Sequence, residues 1–485
     1  MSKIIKNGLI YLLPSLVGSV LPLISLPLFT RFISIEDFGA LALCQGFAIF
    51  INGISNFGLT IGFERDFFES KEVKYRASLL YSTLIFVFIT YLTFAIATYA
   101  LRYKITDVLI GNQKFSQLLI ISYLAIGMTT IKSYFLTYYK NTENAKGFVF
   151  YTLDETLISF LISLILILYF RIGIIGIVIS QFIASLIVVI ILLFKFHKFL
   201  PFHLSGLVLK KSLFLSWPLT PRIFFGVIGS QFDKFIIGRI NSVESVGLFS
   251  IAQRVSSIIF TLMTAIQNVW SPIVYKLMFN SKENSSKEIG YFLAPFFYFS
   301  TLIALIISLF SEEIVMIIFG KKNGVAAEMI IVLSILQCSY FFGKQNQLIF
   351  TKKTHLISIL TLIGISLNIA INILFVHYWG AIGVAWGALL SGGLMGALSF
   401  YFSQKNFKIY WDFKTYFLVF TIYLLSSFFV IVMIHLNING NVKLFVKSFL
   451  VASFIFSGNR FGILTIERMK NLFKIIMSRK SRVLL

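Results

Sequence analysis

The sequence predicts an all-α polytopic membrane protein of about 14 transmembrane helices, two six-helix repeats in parallel orientation plus two C-terminal helices. Three observations predict it. The 485 residues are 58% hydrophobic and 13% charged, with mean hydropathy +0.89, against roughly 45–50% and 25% in a soluble domain. Apolar runs of spanning length recur along the whole chain without strand-period alternation, which excludes a transmembrane barrel. A pair of local motifs recurs at one offset, as a duplication requires.

A helix crossing a hydrocarbon core of about 30 Å needs roughly 20 apolar residues. On that measure the spans, in order, are 9–29, 38–62, 77–101, 116–139, 147–170, 173–195, 213–238, 247–275, 291–318, 325–350, 354–377, 380–403, 415–435 and 442–458. The basic start Met1–Asn7 precedes a run carrying Pro14, Pro22 and Pro27 and no small-residue cleavage site, so the first span is expected to stay in the mature protein. With the N-terminus inside, cytoplasmic segments hold 27 Lys and Arg and the opposite side 9. This bias places both termini in the cytoplasm. It also explains the net charge of +23 without nucleic acid, because the cations sit in short loops. Cys44 and Cys338 lie in apolar stretches, and the five scattered histidines suggest no metal or haem site, so no cofactor is expected.

The repeat begins at Arg31-Phe-Ile-Ser34-Ile-Glu36-Asp-Phe-Gly39 and returns at Arg239-Ile-Asn-Ser242-Val-Glu244-Ser-Val-Gly247. Gly173-Ile-Ile-Gly176 before the sixth span returns as Gly380-Ala-Ile-Gly383 before the twelfth. The expected organisation is a six-helix lobe over 1–196, a basic linker over 197–212, a second lobe over 213–404, two more helices over 405–458 and a basic tail over 459–485. Six helices per copy keep both copies in one orientation, the arrangement in which transporters hold substrate between halves. Prolines fall in both first spans of the copies, Pro14, Pro22 and Pro27 against Pro218 and Pro221, where they are expected to bend the helices.

An ionisable side chain within a span costs at least about 2.5–3.5 kcal/mol and normally faces a cavity or a partner. Arg65, Lys132, Asp154, Glu155, Arg222, Asp233, Lys234, Arg254, Glu328 and Lys344 are such residues. By depth, Arg65, Lys132, Arg222 and Lys344 gather in the cytoplasmic half, where an anionic substrate would enter. Arg222 and Asp233 share a helix face, three turns apart. Lys132 and Asp154 lie at similar depth across a hairpin and could neutralise each other. Asn368 and Asn372 read as bridges between helices.

Pro27 through Gly39, Phe57-Gly58-Leu59 with Arg65, Trp217-Pro218-Leu219, Asp233-Lys234-Phe-Ile-Ile-Gly238, Val246 through Ala252, and Asn368 with Asn372 and Gly380-Ala-Ile-Gly383 together resemble a known family. It is the polysaccharide-transporter family of the multidrug/oligosaccharidyl-lipid/polysaccharide exporter superfamily. The resemblance implies a Wzx-type flippase moving an undecaprenyl-diphosphate-linked repeat unit, O-antigen or capsule, from the cytoplasmic to the periplasmic leaflet of the bacterial inner membrane. It implies no enzymatic step, membrane lipid as medium, and the polymerase and chain-length regulator of the pathway as partners. Arg65, Arg222 and Lys234 match its motif positions; many relatives carry Arg at the position of Lys234, which weakens a bidentate grip there. Lys132 and Lys344 rest on depth alone. Asp154, Glu155 and Asp233 are the coupling or charge partners. A cation-coupled multidrug antiporter of the same superfamily, or a flippase for another envelope precursor, stands as the alternative.

Overall fold

The structure, a computed structural model, describes residues 3–279, 285–342, 346–436 and 438–460. It is built of helices α1 (Lys3–Phe29), α2 (Ile35–Ser55), α3 (Leu59–Asp66), α4 (Val73–Ile110), α5 (Ser116–Asn141), α6 (Ala145–Leu164), α7 (Ile175–Phe199), α8 (Gly206–Ser216), α9 (Thr220–Ile240), α10 (Val243–Phe279), α11 (Ser285–Leu309), α12 (Ser311–Phe319), α13 (Gly324–Ser339), α14 (Asn346–Phe350), α15 (Thr354–Asn406), α16 (Phe413–His435) and α17 (Gly440–Arg460). Among the described residues there is no strand. Among them ten helices are long and apolar enough to cross a membrane, and Leu16–Phe29 and Gly324–Ser339 are shorter apolar helices. The chain is a multi-pass membrane protein. α15 turns at Gly380, whose φ of 62° and ψ of −142° leave the helical region, so it comprises two segments. With that turn counted, and with α9, helix covers much of each of the fourteen expected spans among the described residues.

Several spans are broken where hydropathy runs on. Phe57 and Gly58 take positive φ, 49° and 71°, and end α2 before the short α3. The expected seventh span is interrupted too. α8 stops at Ser216, a tight 3₁₀ turn carries Trp217–Leu219 with Pro218 near its start, and α9 begins at Thr220. Pro218 and Pro221 therefore sit at a junction between two helices instead of bending one, which is where a missing N–H costs nothing. α1, by contrast, is one helix through Pro14, Pro22 and Pro27.

The chain forms two compact units, Val20–Ser250 and Met1–Ser19 with Ile251–Leu485. In the first, α5 packs on α2, α4 and α7, and α9 lies along α2. Its core gathers Phe63, Phe67, Tyr134, Phe135 and Phe196 around the ends of α3, α5 and α7. In the second, α13 packs against α11 and α15, and α16 and α17 close on α11. Asn368 donates to Ser391 at 3.2 Å, bridging the two segments of α15.

The two copies of the repeated motif fold alike. Ser34 caps α2 by accepting from the Asp37 N–H at 3.1 Å, and Ser242 caps α10 by accepting from the Ser245 N–H at 3.1 Å. The glycines five residues on from each cap meet reciprocally. A β-carbon on Gly39 would overlap the Val243 carbonyl, and one on Gly247 would overlap the Ile35 carbonyl. The second motif behaves the same way, with φ of 73° at Gly173 and 62° at Gly380. Because backbone obstructs the β-carbon, Gly247→Ala is expected to cost about 1–3 kcal/mol and to lower the melting temperature of the purified protein. Gly18→Ala, with nothing within 4 Å, should leave it unchanged. Equal melting temperatures for the two variants would show that the α2–α10 crossing does not depend on the missing β-carbon.

Candidate functional site

The charges within the helices divide into those that find a counter-charge and those that do not. Lys132 on α5 is buried and its ammonium meets the Glu155 carboxylate of α6, both side chains about one-tenth exposed or less. Thr129, one turn earlier on α5, also donates to Glu155, at 3.3 Å. The neutralising residue is thus Glu155 and not Asp154. Neighbouring positions on a helix point about 100° apart, and it is Glu155 that faces α5. Asp154 is left half-buried, with no hydrogen bond or ion pair among the described residues.

Arg65, expected at the inner end of the second span, lies on the separate short helix α3. α3 carries it clear of the α2 terminus, and its side chain is 60% exposed. Its guanidinium donates to Asp66 at 2.7 Å, with Glu69 at 3.9 Å, and Asp66 stabilises the protonated form so that the Arg65 pKa is raised. Around it Lys211 pairs with Glu69, Tyr75 donates to Glu69 at 3.0 Å, and Lys140 pairs with Glu64 at 2.7 Å. Lys211 above all, then Tyr75, holds the Glu69 carboxyl below its ordinary range. This network ties α3 to α5 and α8 at one surface, and Arg65 belongs to it.

Arg222, Asp233 and Lys234 all lie on α9. The helix is unbroken from Thr220 to Ile240, so Arg222 and Asp233 share a face as the spacing predicts. Lys234 donates to Gln231 at 3.2 Å. The side chain of Arg222 lies outside the described residues, as does Lys344 entirely.

Two further features appear in the second unit. Arg254, on α10 within the span Val243–Gln267, is partly buried, and no hydrogen bond or ion pair reaches its guanidinium among the described residues. A guanidinium in that setting is expensive unless an anion visits it. Sequence reasoning had placed it in a span without assigning it a role. Lys447 was missed altogether. It is fully buried on α17 and held by Glu312 at 3.2 Å and Glu313 at 2.8 Å, while Lys443 donates to Glu312 at 2.7 Å. The signal was present as Lys443 and Lys447 one turn apart and the adjacent Glu312-Glu313. These four charges satisfy one another and fasten α17 to α12.

Residues 4–278 match the model of a family described as polysaccharide biosynthesis protein. No curated protein matches significantly. Among solved structures, the chain is similar to the lipid II flippase MurJ in an inward closed conformation, at 17% identity and TM-score 0.70, covering 93% of this chain and 98% of that one. It is also similar to an inward-facing multidrug resistance MATE family transporter of the MOP superfamily, at 14% identity and TM-score 0.58, covering 82% and 94%. A Vibrio cholerae MATE transporter, VcmN, gives 14% identity and TM-score 0.55, covering 84% and 98%. The fold is the one these transporters share.

Proposed function

From the premise that this chain belongs to the polysaccharide biosynthesis protein family, we propose that it is a flippase for undecaprenyl-diphosphate-linked oligosaccharide repeat units, O-antigen or capsule. It moves them by alternating access from the cytoplasmic to the periplasmic leaflet of the bacterial inner membrane, with both termini cytoplasmic. The observation that carries the reading is the guanidinium of Arg254 in a membrane helix, without a partner among the described residues. A diphosphate offers such a group planar, bidentate acceptors. In this reading Arg254 is a phosphate contact, and Arg222, Lys344, Lys234 and Arg65 are proposed as further cargo-binding cations. The similar structure named a lipid II flippase lends support to a lipid-borne cargo. The six-helix lobes, 1–196 and 213–404, are the moving bodies, and the pathway's polymerase and chain-length regulator receive the product.

A multidrug antiporter coupled to cations needs free carboxylates in the first six spans. Glu155 is committed to Lys132, which leaves Asp154 as the remaining member of that pair, so the flippase reading is favoured.

The test is where the lipid-linked glycan collects in a deletion strain. It should accumulate on the cytoplasmic leaflet, reached by a membrane-impermeant oxidant of sugar diols only after lysis. An unchanged pool with ordinary accessibility in whole cells would refute the proposal.

A further inference from the structure

The second unit holds a cavity of about 630 Å³ where the start of α13, the two segments of α15 around Gly380 and the end of α16 meet. Its walls include Phe375, Trp379, Trp386 and Leu390, and its two titratable side chains are Glu328 and His435. Phe375 and Trp379 stand edge to face at 4.9 Å. The Glu328 side chain is 18% exposed and opens into this space. None of these groups takes part in the charge arrangement assigned to transport.

The hydrogen bonding around Glu328 is incomplete in one direction. The Trp386 indole N–H donates to one carboxylate oxygen at 3.3 Å. The other oxygen faces His435 Nε2 at 3.9 Å, too far for a hydrogen bond. His435 Nδ1 lies 2.9 Å from the Ile431 carbonyl, which can only accept, so Nδ1 carries the proton. In the neutral ring Nε2 is then a lone pair aimed toward a carboxylate oxygen. Two acceptors face each other with room for one donor between them.

We propose that this cavity binds a primary ammonium group carried on an amphiphile. An –NH₃⁺ has three donors and no acceptor, so one can go to Glu328 and another to His435 Nε2. The apolar remainder of the lining suits a hydrocarbon body, because a sugar in the same space would leave most of its hydroxyls without partners. An anion would meet the Glu328 carboxylate. The ammonium can come from an ethanolamine lipid headgroup or from a free lipophilic amine, and the chemistry of recognition is the same. The site is independent of the flippase reading.

The experiment titrates the purified full-length protein, in neutral maltoside micelles, with decylammonium, decanol and decyl sulfate, following tryptophan fluorescence. Decylammonium should bind at least tenfold more tightly than decanol, and decyl sulfate should not compete. Glu328→Gln keeps the shape and removes the charge, and should erase the preference for the amine while leaving decanol unchanged. Adding phosphatidylethanolamine or phosphatidylglycerol then identifies the source. Competition by the first alone assigns a lipid headgroup; competition by neither assigns a free amine. Equal affinity of wild-type protein for decylammonium and decanol would overturn the proposal, even if the Glu328→Gln variant fails to fold. So would an amine preference that survives Glu328→Gln.

Discussion

Lys132→Met alone is expected to destabilise the protein by about 3–5 kcal/mol, whereas Lys132→Met combined with Glu155→Leu should recover most of that loss. The single change leaves the Glu155 carboxylate in the packed α5–α6–α7 region with the Thr129 hydroxyl as its remaining side-chain partner among the described residues. Removing both charges leaves apolar side chains of similar length in an apolar setting. The measurement is thermal melting of the tagged protein by fluorescence-detected size exclusion, together with abundance in the membrane. The double variant also decides whether Lys132 touches cargo. As a structural ion pair it can be replaced without loss of surface glycan, so the double variant should complement a deletion strain. A folded double variant that displays no glycan would restore Lys132 to the substrate path; a double variant no more stable than the single would refute the pairing.

What could be read from the sequence here was periodicity and recurrence; what could not was rotation about a helix axis. The motif at Ser34–Gly39 and its copy at Ser242–Gly247 carry their meaning locally, since a cap and a glycine crossing need nothing from the rest of the chain. Depth along a span was legible in the same way, and it set Lys132 opposite Asp154. One residue's difference in azimuth then decided which carboxylate met it, and azimuth depends on how α6 packs. The break before Arg65 was not legible either: hydropathy continues smoothly past Ser55, while the positive φ at Phe57 and Gly58 ends α2 and sets Arg65 on the separate helix α3. Lys447 escaped notice because its neighbour Lys443 reads as loop. Only the fold brings α12 under α17 and shows both lysines buried against Glu312 and Glu313.

Arg254→Ala and Arg222→Ala, each present in the membrane at normal abundance, are expected to bring surface glycan down to the level of a deletion strain. Arg254 resides in a membrane helix without a counter-charge among the described residues, a condition that raises the energy of the empty protein and that a visiting diphosphate would relieve. A hydrogen bond to a charged group contributes about 1.5–3 kcal/mol, and each 1.4 kcal/mol is about tenfold in an equilibrium constant. Losing a bidentate contact should therefore weaken cargo binding on the order of 10²–10⁴-fold. Lysine at either position keeps the charge and gives up the planar fork, so Arg254→Lys and Arg222→Lys should each retain part of the display. The contrast that matters is with Arg65, whose guanidinium already has Asp66 and Glu69 beside it at an exposed position. Arg65→Ala should act more weakly than either, because exposed pairs contribute about 0–1 kcal/mol. Complementation of a deletion strain, scored against protein level, checks all five variants at once. Full display by Arg254→Ala at normal abundance would mean that the unpaired cation does not hold the phosphate, and the flippase reading would lose the observation on which it rests.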